Sequence, residues 1–123
     1  MSTQSKVPPG VRVLLVEDEP LIAMDGESIL QSMGVEEVVC VRTVAEGLRA
    51  LDEKQFNAAL LDLRLGQESS IALAQRLAAS SVPFGFLTGF QGDALPDEFK
   101  DCPILSKPFT ATQLGGLLLK LLG

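Results

Sequence analysis

The chain alternates short apolar runs with longer stretches in which apolar residues recur every three or four positions. Short apolar runs rich in β-branched residues, without polar alternation, are typical of strands buried on both faces of a parallel sheet. Five runs of this kind predict five strands, at residues 11–16, 35–41, 56–63, 82–89 and 102–108.

The stretches between these runs predict helices. Pro20 suits the first turn of a helix that Gly34 ends, and Thr43 with Glu46 predicts a capping box for a second helix. Thr110 is placed to cap a last helix that reaches the end of the chain. We assign the buried face of the first helix to five apolar side chains: Leu21, Ile22, Ile29, Leu30 and Met33.

Two stretches lie between the third and fifth strands. Residues 69–79, rich in alanine and leucine, predict a helix. Gly92 and Pro96 restrict any helix within residues 90–101 to a short one. Strand and helix thus alternate five times along the chain. This order predicts an α/β fold, a (βα)5 doubly wound five-stranded parallel sheet with helices on both faces.

Length and composition narrow the class of protein. The chain has 123 residues, of which 46% are hydrophobic and 21% charged, as is typical of a globular domain. Residues 1–10 are polar and broken by two prolines and a glycine, so we expect a flexible N-terminal tail ahead of one domain over residues 11–123. Cys40 and Cys102 are expected to be reduced and packed as small apolar residues.

Charge and absent residue types exclude several functions. The net charge is −6 and histidine is absent. Binding to nucleic acid or to an anionic membrane needs clustered lysine and arginine, so neither is expected. The absence of histidine excludes histidine-based zinc sites, histidine-dependent nucleophilic catalysis and a phosphohistidine on this chain. No signal-peptide pattern or membrane-length apolar run is present, so a cytoplasmic protein is the default expectation.

Polar side chains follow four of the five predicted strands. Glu17 and Asp18 come after the first strand, Asp62 ends the third, Thr88 the fourth and Lys107 the fifth. In an open parallel sheet, ligands bind outside the carboxyl ends of the strands. The sequence therefore predicts that these side chains share one site.

Carboxylates held this close repel one another, and a bound divalent cation would neutralise their charge and relieve the repulsion. Magnesium, or manganese in its place, takes oxygen ligands. Asp18 and Asp62 are each candidates to give one oxygen, and the backbone carbonyl of Arg64 is a candidate for another. Glu17 is a candidate to hold a metal-bound water. Glu19 is instead assigned a local role, because a carboxylate complements the start of a helix.

Lys107 and Thr88 suit contacts to an anion beside that metal. Acids, metal, lysine and a hydroxyl together form a phosphoryl site, in which the cations neutralise phosphoryl oxygens and a carboxylate is the nucleophile. Asp62 is the aspartate placed centrally for in-line attack.

These residues, in this order, resemble the receiver domain of two-component response regulators from residue 11 onward. The resemblance implies a flavodoxin-like fold in which Asp62 accepts a phosphoryl group and Glu17 and Asp18 bind the metal. Thr88 would be the switch hydroxyl, and Lys107 would pair with the phosphoryl group. Implied partners are a sensor histidine kinase or a histidine phosphotransfer protein as donor, and a downstream protein. The chain would be a phosphoacceptor and not a classical enzyme.

The segment Phe86-Leu87-Thr88-Gly89-Phe90 is similar to the Phe-Ala-Thr-Gly-aromatic signature of receivers that are often single-domain proteins. Most receivers carry a switch tyrosine or phenylalanine three residues before the lysine, where this chain has Ile104, and Phe90 is a candidate for part of that role. The family often has a cis peptide bond between the lysine and the following proline. The implied switch or partner surface comprises Phe90, Ile104, Pro108 and Phe109.

Two other functions are left open by the residues. The first is a receiver-like interaction module whose site no longer cycles, although the complete set of acids, threonine and lysine argues against it. The second is an enzyme of another doubly wound family, such as a flavin carrier or a phosphatase with an aspartyl nucleophile. The chain lacks the glycine-rich phosphate loop and the substrate-covering cap that such enzymes need.

Overall fold

The computed structural model describes residues 6–89 and 95–123. Its strands are β1 (Arg12–Val16), β2 (Glu37–Val41), β3 (Ala58–Asp62), β4 (Arg64–Leu65), β5 (Glu68–Ser69), β6 (Phe84–Thr88) and β7 (Ile104–Ser106). Five of them form a parallel sheet in the order β2-β1-β3-β6-β7, which is the predicted doubly wound α/β sheet. The sequence did not predict the short antiparallel hairpin of β4 and β5.

Helices cover both faces of this sheet. Within the described residues the α-helices are α1 (Pro20–Ser32), α2 (Val44–Glu53), α3 (Ile71–Ala79) and α4 (Ala111–Leu122). Helices α1 and α4 pack on one face and α2 and α3 on the other. The central strands β3 and β6 are therefore buried at every residue, which explains why each lacks polar side chains before its last residue. No helix among the described residues is long and apolar enough to cross a membrane.

The predicted capping signals are present at two helix starts. Thr110 and Gln113 make both hydrogen bonds of a capping box at the start of α4. At α2 the hydroxyl of Thr43 accepts from the N–H of Glu46, as predicted. The carboxylate of Glu46, however, accepts from the N–H of Arg42, one residue before the expected donor.

Beyond Gly89, the connection between β6 and β7 is described only from residue 95 onward. Its described part contains a 3-10 helix, Asp97–Phe99, and no α-helix. Phe99 fixes this segment to the sheet, because its ring packs against those of Phe84 and Phe86 with centroids 5.6 and 6.1 Å apart. The expectation of at most a short helix here is met within the described residues.

Three side chains lie differently from their predicted places. Val7, assigned to the flexible tail, is buried, and its N–H donates to the carbonyl of Met33; residues 1–5 of that tail lie outside the described residues. Leu21 is 79% exposed because it lies about 140° around α1 from the buried Gly26. Cys40 is exposed because β2 is an edge strand.

Gly47 and Gly116 offer a matched test of the packing between helices. A Cβ at Gly47 would lie 2.8 and 2.9 Å from the two Cδ atoms of the fully buried Leu73, so α2 can approach α3 only without that atom. We expect Gly47→Ala to lower the free energy of unfolding by about 1 kcal/mol, because overpacking outweighs the gain in helix propensity.

Gly116→Ala is the control, because a Cβ there would meet nothing within 4 Å. This exchange should raise the free energy of unfolding by about 0.5–1 kcal/mol. Urea unfolding followed by circular dichroism measures both. Equal stabilisation by the two exchanges would contradict the packing argument.

Candidate functional site

The sheet brings the predicted site residues to one edge and, for three of them, to one face. Alternate residues of a strand point to the same face of the sheet. Val13 and Leu15 of β1 face α1 and α4, as do Ala58 and Leu60 of β3 and Leu105 of β7. Glu17, Asp62 and Lys107 each lie two residues further along one of these strands, so their side chains point to this same face.

Lys107 joins the two buried acids. Its Nζ lies 2.9 Å from Oδ2 of Asp62, and 3.1 and 3.3 Å from the two carboxylate oxygens of Glu17. The side chains of Glu17, Asp62 and Lys107 are 0%, 5% and 7% exposed. The ammonium group therefore neutralises carboxylates from two different strands in a place that water barely reaches.

Burial sets the protonation of these groups. Burial raises the pKa of Glu17 to about 7; the N–H of Glu19 opposes this, the negative charge of Asp62 adds to it, and Lys107 opposes it. Burial by itself would lower the pKa of Lys107, but its hydrogen bonds and ion pairs with Asp62 and then Glu17 raise that pKa above its ordinary value. The lysine stays charged, whereas Glu17 of the metal-free protein titrates near neutral pH.

Glu17, Asp18 and Asp62 also fit a divalent cation. Each offers a carboxylate oxygen, and these three oxygens lie within 4.8 Å of one another. An all-oxygen cluster with excess negative charge suits magnesium or manganese. At Arg64, the N–H donates to Oδ1 of Asp62 at 3.2 Å. The carbonyl ligand that we expected from Arg64 stays a prediction.

The remaining predicted residues divide between the site and the surface beside it. Thr88 is buried, and its carbonyl accepts from the N–H of Lys107 at 2.7 Å. The Lys107–Pro108 peptide bond is cis, as the resemblance implied. Ile104 is 50% exposed and Pro108 is exposed too, so both lie at the surface beside the site. Phe109 belongs to the core beside Leu114 and not to the surface.

Phe90, the candidate aromatic of the signature, lies outside the described residues.

Glu19 belongs to the site in a way that the sequence analysis missed. It is the N-cap residue of α1, at the helix start where we expected it, although its side chain makes no capping hydrogen bond there. Its carboxylate instead lies 3.8 Å from Nζ of Lys107. The signal was present in the sequence as a third consecutive acid, but a role at the helix start explained it equally well.

Comparisons with known proteins agree with this geometry. The family model described as the response regulator receiver domain matches residues 13–118. SdrG from Sphingomonas melonis Fr1 is 41% identical, with a TM-score of 0.82 over 92% of this chain and 97% of that chain. The BeF3-activated conformation of SdrG from Pseudomonas melonis Fr1 is 40% identical, with a TM-score of 0.79 over 95% and 100% of the two chains.

A curated relative is longer than this chain. The phyllosphere-induced regulator PhyR of Methylorubrum extorquens is 31% identical over 110 residues, which are 86% of this chain and 41% of PhyR. The chain thus spans about two fifths of that relative.

Lys107→Met tests how far folding depends on the buried ammonium. With Glu17 and Asp62 left unpaired, we expect the free energy of unfolding at pH 8 in EDTA to fall by about 3 kcal/mol. The loss should shrink at pH 6, because Glu17 then takes up a proton and no longer needs a cation. Urea unfolding at the two pH values measures it.

Lys54→Met is the matched control, because Lys54 pairs with Glu37 at the surface, where both side chains are over one-third exposed. It should change stability little. If the two exchanges lowered the free energy of unfolding by similar amounts, the buried ion pairs would not be more important for stability than the surface pair.

Proposed function

The chain belongs to the response regulator receiver domain family, and on that premise we propose that Asp62 accepts a phosphoryl group from a histidine kinase or a histidine phosphotransfer protein. The observation that supports this most directly is the buried ammonium of Lys107 placed between Asp62 and Glu17. It gives Asp62 a fixed orientation at the carboxyl edge of the sheet. It also provides a cation for the oxygens of an incoming phosphoryl group.

The transfer itself requires little more than positioning and charge. A carboxylate oxygen of Asp62 attacks phosphorus while the phosphorus–nitrogen bond to the donor imidazole breaks, and the bonding pair stays on that nitrogen. The product is an aspartyl phosphate that carries about two negative charges, where the free carboxylate carries one. Lys107 then pairs with phosphoryl oxygens, and the hydroxyl of Thr88 donates to one of them.

Glu17, Asp18 and Asp62 would hold magnesium, with the Arg64 carbonyl as a further ligand. When bound, the metal neutralises the charge that builds up on the phosphoryl oxygens during transfer. Glu17 and Asp18 follow β1, Asp62 ends β3, and Lys107 follows β7 on the far side of β6. The phosphoryl group would thus lie among groups from three strand ends.

We further propose that the protein acts in the cytoplasm as a signalling component and not as a turnover enzyme. Phosphorylation would change which protein binds to the surface that includes Ile104 and Pro108. Nucleic acid and membrane are not expected as partners, because the chain is acidic overall. A relative in a BeF3-activated conformation, SdrG, supports a receiver that cycles between two states.

Replacing the phosphoacceptor tests this proposal. Wild-type protein incubated with magnesium and acetyl phosphate, or with a cognate kinase and ATP, should show a slower band on a phosphate-affinity gel. Asp62→Asn should show none, because an amide is not a nucleophile for phosphorus. Asp101→Asn, at an exposed aspartate, should behave as wild type.

A band of wild-type strength in the Asp62 variant would rule out this assignment. No band from the wild type with any donor would favour the non-cycling interaction module.

Magnesium binding should depend on pH through Glu17, whose pKa is about 7 without metal. As pH falls below 7, Glu17 takes up a proton that a cation must displace. We expect the magnesium affinity measured by isothermal titration calorimetry to fall by about tenfold from pH 8 to pH 6.

Glu17→Gln is the control for this titration. It should bind magnesium more weakly, and its affinity should change less over the same range. An affinity of the wild type that does not change between pH 6 and pH 8 would show that Glu17 is not the group that titrates.

A further inference from the structure

Glu19 is anchored by its backbone, whereas its side chain is largely exposed to solvent. Its N–H donates to Oε2 of Glu17 at 3.1 Å, and its carbonyl accepts from the N–H of Ala23 in α1 at 2.9 Å. Its side chain is 63% exposed and lies 3.8 Å from the ammonium of Lys107. Its side chain makes no capping hydrogen bond to α1, so no hydrogen bond of the helix holds the carboxylate in place.

The two closest partners of Lys107 are also candidate metal ligands. Glu17 and Asp62 hold the ammonium at 2.9–3.3 Å and belong to the three-carboxylate cluster. An ammonium and a divalent cation on the same carboxylates repel each other and compete for the same negative charge. Among the described acids in ion-pair contact with Lys107, Glu19 is the one outside that cluster.

We propose that Glu19 is a positioning residue that receives the ammonium of Lys107 when a divalent cation occupies Glu17, Asp18 and Asp62. The ammonium would then stay at the mouth of the site, where a phosphoryl group arrives, and not move into solvent. The inference rests on the cation site of the proposed function, but it does not need phosphorylation to occur.

This role makes the effect of Glu19 depend on Lys107. An acid near a metal site favours cation binding by its charge whatever else is present, and that effect remains when Lys107 is removed. The additional effect, a partner for the displaced ammonium, disappears with Lys107. A double-mutant cycle separates the two contributions.

The experiment is calorimetric titration of magnesium into five proteins at pH 8: wild type, Glu19→Gln, Lys107→Met, the double variant and Asp25→Asn. We expect Glu19→Gln to weaken binding by about fivefold in the wild-type background and by less than about twofold in Lys107→Met. Lys107→Met by itself should bind magnesium more tightly, because its competing cation is gone. Asp25→Asn removes an exposed acid of α1 and should change affinity by less than about twofold.

A second measurement uses only variants that retain Lys107. Saturation with magnesium should shift the NMR signal of the Lys107 Cε–H group, and Glu19→Gln should give a different end point from the wild type. Glu19→Asp should restore part of the wild-type end point, because it keeps a carboxylate with a shorter reach. This comparison remains informative if Lys107→Met folds poorly.

Equal effects of Glu19→Gln in both backgrounds, or the same Lys107 end point in wild type and Glu19→Gln, would overturn the inference and leave the proposed function intact. Magnesium binding with the expected coupling, but no phosphorylation of the protein, would support the inference and overturn the proposed function. A wild type that binds no magnesium would overturn both.

Discussion

The structure depends on pairing one buried ammonium with two buried carboxylates. Glu17, Asp62 and Lys107 come from the ends of three strands and are almost inaccessible to water. An unpaired charge in such a place is strongly unfavourable, so the three must meet if any of them is to be buried charged. They meet only when β1, β3 and β7 are assembled in one sheet with β6 between the last two. The site is thus a consequence of the complete fold and not of a local motif.

The same group of residues is short of positive charge. When ionised, Glu17, Asp18 and Asp62 carry three negative charges against the one positive charge of Lys107. The difference equals the charge of one magnesium ion. Burial raises the pKa of Glu17 to about 7, and the negative charge of Asp62 adds to that rise. The uncompensated negative charge that makes the metal-free site less stable therefore also raises its affinity for a cation. A site whose carboxylates were fully neutralised by lysine would bind a cation weakly.

Sequence reasoning was most successful where a local pattern determines the outcome. Buried parallel strands have continuous apolar sequences, and the residues after them lie at one edge, so the acids and the lysine were predicted to meet. It failed where contacts between distant parts of the chain determine whether a side chain is buried and what it contacts. Val7 is buried because its N–H donates to the carbonyl of Met33 and its side chain packs in the adjoining core. Leu21 is exposed because of the angle at which α1 packs on the sheet. The contact of Glu19 with Lys107 was not predicted because the two residues are 88 positions apart in the chain.

The exposed Ile104 constrains how the site can communicate with a partner surface. A β-branched aliphatic side chain is stiff about its first torsion and has no hydroxyl, so position 104 cannot act as a rotating, hydrogen-bonding aromatic. The described aromatic contacts lie elsewhere, where Phe86 packs on Phe99 of the 3-10 helix. Phe86 lies two residues before Thr88 on β6, and alternate residues share a face. Phe86 therefore connects the strand that carries Thr88 to the 3-10 helix Asp97–Phe99 through the core.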